Sequence, residues 1–163
     1  MDDSFLQLKN ILSEELSLYR HILVLSEKKQ KLLLERFSTD LLQIVADEEE
    51  AVQKLASFEG ERQSLIEKIS HQPGDSSLED FVNSFVKNDT EKTVFFLLKR
   101  DLNDVITRIK EINERNQKLL EQALDLTRYS LGLVTTPPRE VIYHRPDTKK
   151  VSPSYPSLID RKI

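Results

Sequence analysis

The chain has 163 residues, 38% of them hydrophobic and 32% charged, with a formal net charge of −4. That length carries one modest globular or elongated domain rather than two large ones. The absence of cysteine excludes a disulfide framework, a thiolate nucleophile and a Cys-ligated zinc site, and no apolar run approaches the 18 residues a membrane helix needs.

The charge is unevenly placed. Residues 137–163 hold six Lys or Arg and three Asp or Glu, a balance of +3 that leaves −7 on residues 1–136. An acidic body argues against general nucleic-acid binding, which needs a basic surface. The chain opens with Asp2 and Asp3 in place of a basic n-region, so a cytosolic protein without a signal peptide is expected. Glycine occurs only at positions 60, 74 and 132, and five of six prolines follow Leu133, which favours long helices over a turn-rich β fold.

Residues 4–37 predict a first helix. Phe5, Leu8, Leu12, Leu16, Tyr19, Leu23, Ser26, Gln30, Leu33 and Phe37 form one stripe. A second stripe of Ile11, Leu18, Ile22, Leu25 and Leu32 widens the apolar face and implies more than one neighbour. Near Ser38 the pattern changes phase. A tight reversal is expected there, with Thr39 as N-cap and Asp40 in the first turn of a second helix; a continuous helix is the rival, since no Gly or Pro forces a stop.

That second helix spans residues 40–69, with Leu41, Val45, Glu48, Val52, Leu55, Phe58, Arg62, Leu65 and Ile69 at or near its inner face. The run from Asp47 to Glu50 reads mainly as a solvated face. Glu48 is expected at an edge, or paired with a base such as Arg62 if another helix brings them together. His71-Gln72-Pro73-Gly74 breaks the helix. Ser76 followed by Glu79 has capping-box spacing ahead of a short amphipathic helix with Leu78, Phe81, Val82, Phe85 and Val86, expected as a lid on the bundle end. Asn88 followed by Glu91 repeats that signature.

The longest pattern follows. Phe95, Leu98, Leu102, Val105, Ile109, Ile112, Asn116, Leu119, Ala123, Leu126, Ser130 and Leu133 step by threes and fours through residues 94–133, one helix of about 58 Å. The other helices are expected to pack against it, and it is expected to end near Gly132. Thr135-Thr136-Pro137-Pro138 stops regular helix. The fold class expected is all-α: an elongated antiparallel bundle or coiled coil of three long helices with a short additional helix. Residues 1–136 form the body and 137–163 a flexible basic tail.

No arrangement compels catalysis. His21, His71 and His144 are scattered without metal-ligand spacing, and no phosphate-binding glycine loop exists, so no cofactor is expected. The informative oddities are Asn113 and Asn116, one turn apart and near the seam. A buried Asn must be hydrogen-bonded, so it either fixes helix register or faces an opening where a bound helical peptide meets it. Beyond them the helix is apolar on more than one side, through Leu119, Leu120, Ala123, Leu124, Leu126 and Leu131. Either a further internal helix or a client helix covers the extra width.

The stretch from Ile112 to Leu133 resembles the FlgN-type flagellar export chaperones. Asn113, Asn116, Leu119 and Leu120 stand in that family's Asn-x-x-Asn-x-x-Leu-Leu pattern, and the leucine–glutamate repeats of the first two helices are similar across nearly the whole chain. The resemblance implies a cytoplasmic, non-catalytic chaperone that binds the C-terminal helical segments of hook-filament junction proteins, the first and third hook-associated proteins. It then delivers them to the export gate of the membrane-associated flagellar type III apparatus. It places client binding on Asn113, Asn116, Leu119, Leu120, Ala123, Leu124, Thr127 and Leu131. It places export-gate contact on Tyr143, in a segment where His144 and Thr148 replace the family's glycines. A structural coiled-coil adaptor is the alternative, and a homodimer that protects its groove until exchange stays open beside a monomer.

Overall fold

The structure, a computed structural model, describes residues 3–35, 39–71 and 77–135. Among these the only regular elements are four helices: α1 (Asp3–Leu34), α2 (Asp40–Ser70), α3 (Leu78–Phe85) and α4 (Asp89–Thr135). At 1.5 Å per residue α1 and α2 are each just under 50 Å long and α4 is about 70 Å.

The hub is α1, not the longest helix. α2 packs antiparallel along one flank of α1 and α4 parallel along another, while α2 and α4 meet each other little. The physical reason is the double stripe on α1, which gives it two apolar faces where each partner needs one. Its Leu8, Leu12, Leu16, Tyr19, Ile22 and Leu23 enter a continuous core with Ala51, Leu55, Leu65 and Ile66 of α2 and Phe95, Leu102, Val105, Ile106 and Ile109 of α4.

α3 closes one end of the bundle. Leu78, Phe81 and Val82 are buried, and the Phe81 ring lies 6.4 Å from Phe5 and 5.2 Å from Phe85. The expected lid is therefore present. Its cap lies one residue later than the Ser76 spacing suggests: Ser77 Oγ accepts the Asp80 N–H at 3.2 Å. Asn88 caps α4 as expected, its Oδ1 accepting from Thr90 and Glu91 N–H at 2.9 and 3.4 Å.

Other local expectations shift. Thr39 stands at the N-cap of α2 but has helical φ/ψ of −57° and −21° and makes no side-chain cap. Its carbonyl instead accepts the Leu42 N–H at 3.3 Å. α2 ends on His71, which enters the left-handed region at φ 54° and donates its backbone N–H to Glu67 O. Gly132 does not end α4, which continues to Thr135. The inner ladder of α2 is Ile44, Glu48, Ala51, Leu55, Glu59, Arg62 and Ile66, so Val45 turns outward while Val52 stays half-buried. Gly60 has open space where a Cβ would stand, so it serves no close crossing.

Candidate functional site

Two polar layers interrupt the core. In the first, Glu15 of α1 lies 3.2 Å from Arg62 Nε of α2, beside Glu59 and Tyr19, and all four residues are buried. Burial pushes the Glu15 carboxyl up to about 7; the Arg62 guanidinium pulls it down and the Glu59 carboxylate adds to the rise. Burial, then the neighbouring Glu15 and Glu59 charges, raises the Tyr19 phenol as well. Arg62 thus pairs with Glu15, not with Glu48.

The second layer joins all three long helices. Lys29 Nζ donates to Glu48 Oε2 at 2.6 Å, Ser26 Oγ to Glu48 Oε1 at 3.3 Å, and Asn116 Nδ2 to the Ser26 carbonyl at 3.0 Å. Glu48 is 1% exposed, so it is an interior acid and not an edge residue. Asn116 is 4% exposed, and its bond to Ser26 sets α4 against α1 in register. This is the register role open to it from the sequence.

That register decides what lies beyond. From the Ser26–Asn116 contact α1 has eight residues left and α4 nineteen, so α4 projects roughly 16 Å further. Cover along the α4 seam falls accordingly. Ile109 is fully buried, Leu119 and Ala123 are half-buried, and Leu126 and Leu133 are 66% and 67% exposed. Leu120, Leu124, Tyr129 and Leu131 are exposed on the same projection, and Leu34 and Leu42 are exposed at the adjoining ends of α1 and α2. Exposed apolar side chains are thus concentrated at one end of a charged rod.

The eight residues expected to bind a client fall on two sides of α4. Leu120, Leu124, Thr127 and Leu131 share an exposed face. Asn116 points inward against α1, with Leu119 and Ala123 half-covered beside it. Asn113 is half-buried, and the Oδ1 atoms of Asn113 and Asn116 are buried without a hydrogen-bond partner. Thr127 returns its hydroxyl to the Ala123 carbonyl at 2.9 Å. Tyr143 lies outside the described residues, as does the whole basic tail.

The sequence reading missed the exposed Leu34 and Leu42, and Glu15 and Glu59 as interior groups. The latter were findable: Leu8, Ile11, Glu15, Leu18, Ile22 and Leu55, Glu59, Arg62, Ile66 each keep a step of three or four. Among the described residues no group of His, Asp and Glu is placed to hold a metal ion, and no helix is long and apolar enough to cross a membrane. A shallow depression over Ile11, Phe58 and Leu65 lies between α1 and α2, away from the projecting part of α4.

Comparison with curated proteins and with solved structures finds no significant match. A family model described as FlgN protein matches residues 1–150, nearly the whole chain and all of its described helices. The helical rod with its uncovered end is thus the body of a member of the FlgN family of flagellar export chaperones, which are non-catalytic.

Proposed function

We propose that this chain is a cytoplasmic chaperone that covers the C-terminal helical segments of the flagellar hook-filament junction proteins, the first and third hook-associated proteins, and presents them at the type III export gate. The observation that carries this reading is the concentration of exposed leucine on the projecting part of α4. An amphipathic client segment laid along Leu120, Leu124, Thr127 and Leu131 hides its own apolar stripe and theirs, as in helix-in-groove recognition. Asn113, Asn116, Leu119 and Ala123 complete the face from its inner side. The Oδ1 atoms of the two asparagines are buried without a partner, so they accept from client amide groups only where the client displaces what covers them.

Each half-exposed leucine covered adds on the order of 1 kcal/mol, against the cost of ordering a client tail, so the complex is of moderate affinity and releasable. In this reading residues 1–136 bind the client and the basic tail, through Tyr143, contacts the export gate during a transient visit to the membrane-associated apparatus. Calorimetric titration of the full chain with C-terminal segments of the two junction proteins, with a filament-protein C-terminus as control, tests it. Saturable one-to-one binding confined to the junction segments is expected. The double variant Leu120→Asp/Leu124→Asp should keep its helicity and lose at least tenfold in affinity. Undiminished binding by the folded variant rejects this placement, and no binding of either segment by the wild type turns the assignment toward a structural adaptor.

A further inference from the structure

The α1–α2 interface carries two charged layers that are balanced differently. Near Ser26, Lys29 sets one ammonium against the single carboxylate of Glu48 at 2.6 Å. The other layer lies fourteen residues back along α1, about 21 Å away, and sets two carboxyl groups, Glu15 and Glu59, against the one guanidinium of Arg62. One carboxylate answers the cation, so this buried layer is electrically neutral only when it also holds a proton. Its bonding is incomplete as well: Glu15 Oε2 is buried with no hydrogen-bond partner.

The surroundings leave that imbalance in place. On α1 the near neighbour is the Tyr19 phenol, which burial holds protonated, and α2 contributes only Glu59 and Arg62. Glu14 and Glu61 flank the layer from the exposed surface. At this level α4 presents Leu102, Val105 and Ile106, all buried, while its Asp101 stands at the surface 4.0 Å from Arg20. α3 packs against Phe5, ten residues up α1, and its Glu79 pairs with Lys99. The support of α2 is equally one-sided. It meets α4 little and α3 slightly, so its C-terminal half rests mainly on α1.

We propose that the Glu15–Glu59–Arg62 layer is a proton-operated latch: a proton held in the layer keeps the C-terminal half of α2 closed on α1, and its release lets that half open while the Lys29–Glu48 layer keeps the rest of the pair shut. The direction follows from linkage. Burial raises the Glu15 carboxyl from 4.5 to about 7, with Arg62 opposing and Glu59 adding to the rise, and opening returns the group to water. A carboxyl raised in this way holds the closed form fully below about pH 4.5 and loses its hold as pH rises through 7. Between pH 6 and pH 8 the opening constant should therefore rise about tenfold. The latch is independent of what the projecting end of α4 binds.

Amide hydrogen exchange of the full chain, read by mass spectrometry at pH 6 and pH 8 and corrected for the intrinsic pH dependence of exchange, tests this. In the wild type, protection over residues 58–69 should fall about tenfold between the two conditions, while residues 44–52 of the same helix keep theirs. Glu15→Gln, whose amide stays neutral at both values, should abolish the difference. Glu59→Gln leaves one carboxyl for one guanidinium and should reduce it, which gives a second reading should the first variant fail to fold. Equal loss of protection over residues 44–52 means that the whole helix pair loosens together and overturns the latch. So does unchanged protection over residues 58–69, or a pH dependence as large in either folded variant as in the wild type.

Discussion

The two ends of the rod are built from similar amphipathic helix and are finished differently. At the end where α3 lies, Leu78, Phe81, Val82 and Val86 are buried over Phe5, and the most exposed apolar side chains, Leu6, Phe85 and Leu97, show no more than 44% of their surface. At the other, α1 ends at Leu34 and α2 begins at Asp40, while α4 continues past them with Leu126, Tyr129 and Leu133 about two-thirds exposed. Periodicity is equal at both ends, so what separates core from exposed surface is whether a neighbour is long enough to stand opposite. An apolar seam is left uncovered where its neighbouring helix stops.

The sharpest way to break this comparison is to truncate one side chain at each end. Phe81→Ala should cost about 4 kcal/mol, because it empties a fully buried position, whereas Leu126→Ala should change stability by less than about 0.5 kcal/mol. Chemical denaturation measures both, and equal losses would mean that the projecting end is packed. Between the ends, Arg62→Met leaves the Glu15 carboxylate buried without its cation and should cost about 3 kcal/mol at pH 8. Repeating that denaturation at pH 5, where Glu15 takes up a proton, should return most of the loss.

Glu15 itself gives a pH effect of known sign. Its folded pKa of about 7 lies above the ordinary 4.5, so the folded state holds the proton more tightly. The stabilisation is complete below about pH 4.5 and is lost as pH rises through 7. Relative to Glu15→Gln, the wild type should therefore gain about 2 kcal/mol between pH 8 and pH 5, read from paired denaturation curves. A constant difference across that range would place Glu15 in water. The smallest effect expected is at Gly60: with no neighbour near a new Cβ, Gly60→Ala should stabilise α2 by about 0.5–1 kcal/mol, visible as a raised thermal midpoint.

Much of this architecture is legible in residue spacing. The four helices, the wide face of α1, the lid with Phe81 and the Asn88 cap all follow from steps of three and four and from local hydrogen-bond chemistry. Three matters do not. Caps at Thr39 and Ser77 depend on how the chain enters the helix, which a one-residue choice between adjacent Ser and Thr residues leaves open. The partner of Glu48 depends on how α1 and α2 slide past each other, and Lys29 and Arg62 are equally eligible bases until that register is set. Most consequential for the site, spacing shows that the face around Leu120 and Leu124 is wide but not where α1 ends beside it. That is fixed by a contact between Ser26 and Asn116, ninety positions apart.

The position of α1 between its two partners also orders events during synthesis. Residues 3–70 contain both helices of the antiparallel α1–α2 pair and its Glu15–Arg62 and Lys29–Glu48 pairs, so this unit is complete while more than half the chain has yet to leave the ribosome. α4 arrives afterwards and zips along α1 in the direction of translation, from Phe95 toward Asn116, because the two helices run parallel. The leucines of the projecting end emerge after the rest of the helical rod, onto a scaffold already folded, which keeps them out of the early collapse that would otherwise recruit them into the core.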